Sequence, residues 1–70
     1  MKIGDKILLN KKVSMYRTDD FSIYGNYQFT YKRRIKDIIF NKEIPYILLE
    51  GDVTVVFKAS DLGFETNINF

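Results

Sequence analysis

The chain has 70 residues, a net charge of +2, and neither cysteine nor histidine. This excludes disulfide staples, thiolate nucleophiles and the common zinc ligand sets, and it removes the usual general base near neutral pH. So small a domain buries only about 60% of its unfolded surface, so its core must come from an economical architecture, with residues 1–70 expected to form a single domain.

The 46% hydrophobic content is that of a folded rather than a disordered chain. No apolar run approaches the roughly 18 residues of a membrane span. The opening Met1-Lys2-Ile3-Gly4-Asp5 has no signal-peptide h-region, so a cytoplasmic location is expected.

Strand signals dominate the rest of the chain. Phe, Tyr, Ile and Val are abundant, Ala59 is the sole alanine, and no segment carries an i, i+3, i+4, i+7 apolar stripe. Residues 6–9 are predicted as a short first strand after a Gly4-Asp5 turn, and residues 13–16 as a continuation of the same edge. Thr18-Asp19-Asp20 reads as a turn, because aspartate side chains bond nearby backbone groups. Residues 21–26 read as a long connection punctuated by Gly25-Asn26.

Residues 27–40 form the longest β-rich run. Its alternation breaks between Ile35 and Ile38, and a bulge there would return both to the core. Asn41-Lys42-Glu43 is turn-like, and Pro45 suits the start of a strand. Residues 46–49 form a compact buried strand. Glu50-Gly51-Asp52 reads as a turn that needs positive φ at glycine, with residues 53–57 returning. Lys58-Ala59-Ser60-Asp61-Leu62 fits one 3₁₀ turn, and residues 63–68 a last strand. Five short strands with tight turns predict an all-β small barrel. Its core is expected to draw on Ile7, Leu9, Ile35, Ile38, Ile47, Leu49, Val55, Phe57 and Leu62.

Three segments resemble a known family in order and spacing. Ile3-Gly4-Asp5-Lys6-Ile7 is similar to the opening of bacterial and phage SH3-like (SH3b-type) domains. Ile44-Pro45-Tyr46-Ile47-Leu48-Leu49 is similar to their Pro-Tyr strand. Lys58-Ala59-Ser60-Asp61-Leu62 is similar to the turn before their final strand. The resemblance spans roughly residues 2–66 and implies a five-stranded SH3-like barrel. In that family such domains often accompany cell-wall hydrolases and bind peptidoglycan, so the resemblance implies a binding module, with the cell wall as one setting.

The stretch FSIYGNYQFTYKRR, residues 21–34, carries the candidate site. Phe21, Phe29 and Ile35 are assigned to the barrel. Tyr16, Tyr24, Tyr27 and Tyr31, with Arg33 and Arg34, are expected to form a contact face, since tyrosine and arginine dominate interface energetics. The partner expected there is a protein, peptide or glycan. An alternative reading is a small phage or mobile-element effector that blocks a host protein or sequesters a small ligand. A third is nucleic-acid binding, because Lys32, Arg33, Arg34 and Lys36 place cations among aromatics; the modest net charge weighs against it.

No catalytic set is visible. Ser14, Ser22 and Ser60 are the only serines, and none lies in a nucleophile elbow. No enzyme activity, cofactor or metal site is expected.

Overall fold

The computed structural model describes residues 2–63. They form an all-β, six-stranded, antiparallel sheet that curls into a half-barrel, in the order β1-β4-β5-β6-β2-β3. The strands are β1 (Lys6–Ile7), β2 (Lys12–Arg17), β3 (Ile23–Gln28), β4 (Arg33–Asn41), β5 (Ile44–Leu49) and β6 (Val55–Lys58).

Several sequence expectations are corrected. There are six strands rather than five among the described residues. Residues 13–16 do not continue β1; they belong to β2, on the far side of the sheet. The break at residues 8–11 lets the chain cross over. Residues 21–26 are not a long connection, because most of them lie in β3. Residues 59–63 form overlapping turns, with Asp61 N–H donating to Lys58 O, Leu62 N–H to Ala59 O and Gly63 N–H to Ser60 O. The last strand expected at 63–68 falls outside the described residues apart from Gly63, which lies in a turn.

The hairpins follow from local chemistry. β4 and β5 are joined by Lys42 and Glu43, both at positive φ (51° and 68°), with Asn41 and Ile44 paired across them. Positive φ at both central positions gives the backbone twist that matches paired strands, usually through Asn-Gly. Here two residues with β-carbons hold it, at a cost of roughly 1–2 kcal/mol each.

The expected bulge is present. Ile35 pairs with Leu49 and Asp37 with Leu48, so Lys36 is the extra residue. The slip returns both Ile35 and Ile38 to the interior.

The sheet is apolar on both faces. Inside the curl, Ile7, Ile35, Ile38, Ile47, Leu49, Phe57 and Leu62 are buried as expected, and Leu9 and Val55 pack against them. Val13, Phe29 and Ala59 complete this core. Phe57 stands among rings, with Tyr27 at 5.7 Å and Phe29 at 5.9 Å between centroids. A second cluster of Tyr16, Tyr46 and Val56 packs with Phe21, Ile39 and Leu48. Along β5, Ile47 and Leu49 join the first cluster while Tyr46 and Leu48 join the second. The alternation of a strand thus assigns the clusters to opposite faces. Burial on both sides explains why β5 reads as a continuous apolar run rather than an alternating one.

Gly51 has φ +95°, as its turn requires, and a Cβ there would lie 3.5 Å from Arg33 Nη2 without clashing. The penalty of a side chain is therefore in the backbone. Gly51→Val should cost about 1–3 kcal/mol, read as a lowered denaturation midpoint with an unchanged far-UV spectrum. An unchanged midpoint would mean that the turn tolerates negative φ.

Candidate functional site

The residues singled out in the sequence separate in space. Tyr16 is only 8% exposed, and its ring meets Tyr46 edge-on at 5.5 Å within the outer-face cluster. Phe21, at φ +59°, turns the β2–β3 loop back over that cluster and sets its ring 4.7 Å from Tyr46. Tyr27 is half-buried against Phe29, with its ring 5.0 Å away. Tyr24 and Tyr31 are exposed at 55% and 62%, the first near the start of β3 and the second three residues beyond its end.

The two arginines have structural partners. Arg33, 9% exposed, donates through Nη2 to Glu50 O at 2.7 Å and pairs with Asp52 Oδ1 at 3.1 Å. Its guanidinium also lies 5.7 Å from the centre of the Tyr27 ring. Burial pulls its pKa down, but the Asp52 hydrogen bond and charge, with Tyr27, outweigh that and raise it above the ordinary arginine value. Arg34 is half-exposed; it donates to Gly4 O at 3.0 Å and pairs with Glu50 Oε2 at 3.0 Å. Together they fasten β4 to the residue 50–52 turn and to the chain before β1. Two of the four cations in residues 32–36 are thus already engaged with carboxylates.

The exposed aromatic with distinctive local geometry is Tyr24. Gly25 pairs with Met15 and Ile23 with Tyr16, so Tyr24 is the extra residue of a bulge in β3. Bulges re-aim a side chain and often lie beside functional sites. Glycine suits the next position, because a Cβ at Gly25 would sit 3.3 Å from Met15 Cε.

Tyr24 borders an open cleft of about 250 Å³ lined with Arg17, Thr18, Asp19 and Thr54. The Arg17 guanidinium lies 5.1 Å from the ring centroid. Sequence reasoning missed Arg17, because its partner is reached only across the β2·β3 pair. The floor is fixed by Thr18 N–H donating to Thr54 O at 3.1 Å, just past the point where β2 and β6 pair.

The acidic turn shapes one wall. Asp20 Oδ1 accepts from Ser22 Oγ at 2.7 Å and from Ser22 N–H at 3.0 Å, while Asp19 Oδ1 accepts from Asp20 N–H at 2.7 Å. This is the turn role expected of the pair. The Ser22 hydroxyl bond, then its N–H, hold the Asp20 carboxyl below its ordinary value, with Arg17 adding to the effect. The lowered value means that the carboxylate's contribution to the loop is complete above the ordinary carboxylate range and is lost as pH falls through the lowered pKa.

The cleft therefore offers a flat ring with a wet hydroxyl, an exposed guanidinium, a carboxylate and threonines. Stacking and hydrogen bonding are the interactions these groups can make. Among the described residues no group of three His, Cys, Asp or Glu side chains could hold a metal ion, and no helix is long and apolar enough to cross a membrane. No protein-family profile, curated protein or solved structure matches the chain.

Proposed function

We propose that this protein is a non-enzymatic binding module with an SH3-like barrel, holding a protein or peptide partner at the Tyr24 cleft. The observation that carries the reading is the bulge that turns Tyr24 out of the ladder beside Arg17. A buried aromatic gains area at little entropic cost, because tyrosine has few rotatable bonds and keeps a polar tip. Arg17 adds a planar fork suited to carboxylate or carbonyl oxygens. The partner is accordingly a segment that presents an apolar surface to the ring and acidic or carbonyl oxygens to the guanidinium.

This differs from the face first expected in residues 21–34. Tyr16 and Arg33 are occupied in packing and ion pairing, so Tyr24 and Arg17 carry the contact, with Tyr27 supporting β3 from below.

Tyr24→Ala and Arg17→Ala should each weaken a partner by more than about 1 kcal/mol, measured by titration calorimetry on a protein recovered with the wild-type chain. Both positions are exposed, so melting should barely change. Loss of binding together with loss of fold would make both residues structural and end the proposal.

A further inference from the structure

Two segments far apart in the chain meet where β2 begins. Val13 is buried in the inner core, so the alternation of the strand turns Lys12 and Ser14 to the outer face. The turns at residues 59–63 come alongside. They are held by the buried side chains of Ala59 and Leu62 and by Ala59 N–H donating to Pro45 O at 3.1 Å. Ser60 and Asp61 stand between those two anchors. The result is an open cleft of about 280 Å³ that includes Lys11, Lys12, Ser14, Ser60 and Asp61 in its lining. It shares no lining residue with the Tyr24 cleft.

The donors of this cleft are not consumed by the fold. Arg33 and Arg34 are held by carboxylates. Among the described residues, Lys11 and Lys12 have no ion-pair partner, and the hydroxyls of Ser14 and Ser60 make no hydrogen bond. Across the strand pair, Lys12 and Ser14 face Gln28 and Asn26, which bring amides and no charge. Lys58 flanks the cleft two residues before Ser60, with its Nζ 5.2 Å from the centre of the Tyr16 ring. Asp61 sets one carboxylate against the two lining ammonium groups, so the cleft keeps a net positive charge.

Such a set favours an anion, and its geometry discriminates among anions. The donors come from two sides, lysines and Ser14 from β2 and Ser60 from the turn. A carboxylate has two oxygens in one plane. A phosphate group holds its acceptor oxygens in a tetrahedron and can accept from both segments at once. Lysine serves as a point charge there, with no planar fork to align. We propose that this cleft binds a phosphate group carried by a small phosphomonoester. Its volume lies near the lower limit of small-molecule clefts, roughly 300 Å³, which suits a phosphate with a short organic group. A single-stranded nucleic acid instead needs a basic groove that tracks its backbone beside stacking rings. The site stands apart from the Tyr24 and Arg17 reading and does not depend on it.

The test is an amide NMR titration of the full chain at neutral pH and matched ionic strength. The probes are inorganic phosphate, glycerol 3-phosphate, acetate and a short oligothymidylate. Saturable shifts at Lys11, Lys12, Ser14, Ser60 and Asp61 are expected with both phosphate compounds and not with acetate. Tighter binding of glycerol 3-phosphate than of inorganic phosphate identifies the ester as the ligand. Lys12→Gln should weaken binding about threefold, in line with an exposed charge pair, and Ser60→Ala should weaken it as well. Asp61→Asn should tighten it, because the competing carboxylate is gone. All three positions lie outside the buried core, so melting should barely change.

Several results would overturn the proposal. Shifts that rise without saturation, or that spread over every lysine, would mean screening by an adventitious ion only. An equal response to acetate would remove the selectivity for phosphate. Indifference to Lys12→Gln, or weaker binding in Asp61→Asn, would place the anion elsewhere. Preferential binding of the oligothymidylate, with shifts centred on residues 31–36, would make the chain a nucleic-acid binder instead.

Discussion

Phe57→Ala is expected to remove most of the stability of the domain. Phe57 is 1% exposed and packs between Tyr27 and Phe29, where the inner faces of β3 and β6 and the chain after β3 converge. Truncating such a ring costs about 3–5 kcal/mol, part from lost transfer and part from the cavity left behind. A chain of this length has about 4–10 kcal/mol in all. Denaturant unfolding should therefore show a midpoint near zero denaturant, or a chain partly unfolded in buffer. Phe57→Leu, which keeps most of the volume, should retain a cooperative transition. An alanine variant that unfolds near the wild-type midpoint would mean that the ring cluster is not the core.

The second large effect is expected at Arg33. Replacing it with alanine leaves Glu50 O without its donor and Asp52 without its counter-charge. Hydrogen bonds to charged groups contribute about 1.5–3 kcal/mol, and breaking a buried pair costs more because one charge is stranded. Since Asp52 keeps some contact with water, the expected loss is about 2–3 kcal/mol by the same reasoning. Arg33→Lys should recover little, because one ammonium on a flexible stem replaces the planar fork that serves both acceptors. In an Asp52→Asn background the cost of Arg33→Ala should shrink, and that coupling is the specific readout. An Arg33→Ala variant with unchanged stability would return this side chain to the surface and to the contact face.

Much of the fold was legible in the chain. The spacing of Ile35 and Ile38 revealed the bulge in β4, and Gly51 marked a turn that needs positive φ. The apolar run at β5 signalled a buried strand. Where the reading went astray, the deciding forces were non-local. Ile23-Tyr24-Gly25-Asn26-Tyr27-Gln28 resembles a loop because Gly25 and Asn26 are turn formers, yet pairing with β2 holds it as a strand, and the space under Met15 explains the glycine. The β4–β5 turn contains no glycine, so its two positive-φ residues were invisible to turn chemistry.

The site was less legible for the same reason. Arg33 and Arg34 are neighbours in a strand and point to opposite sides, one into a buried pairing with Asp52 and the other across the surface to Glu50. A run of basic residues cannot reveal that division, because both acids come from another hairpin. Tyr16 looked like a surface ring beside a turn until β6 and Tyr46 were placed against it. Tyr24 was recognisable by its place next to Gly25-Asn26, though the cause is a bulge rather than a loop.

The most direct test of where the working face lies is a comparison of three baits: the wild-type chain, Tyr24→Ala and Arg34→Ala. Each is immobilised at equal density and exposed to the same bacterial lysate, with far-UV spectra recorded beforehand. The account predicts a protein retained by wild type and by Arg34→Ala but lost from Tyr24→Ala, with all three baits folded alike. Retention by Tyr24→Ala and loss from Arg34→Ala, or a wild-type bait that retains nothing above an empty matrix, would contradict it.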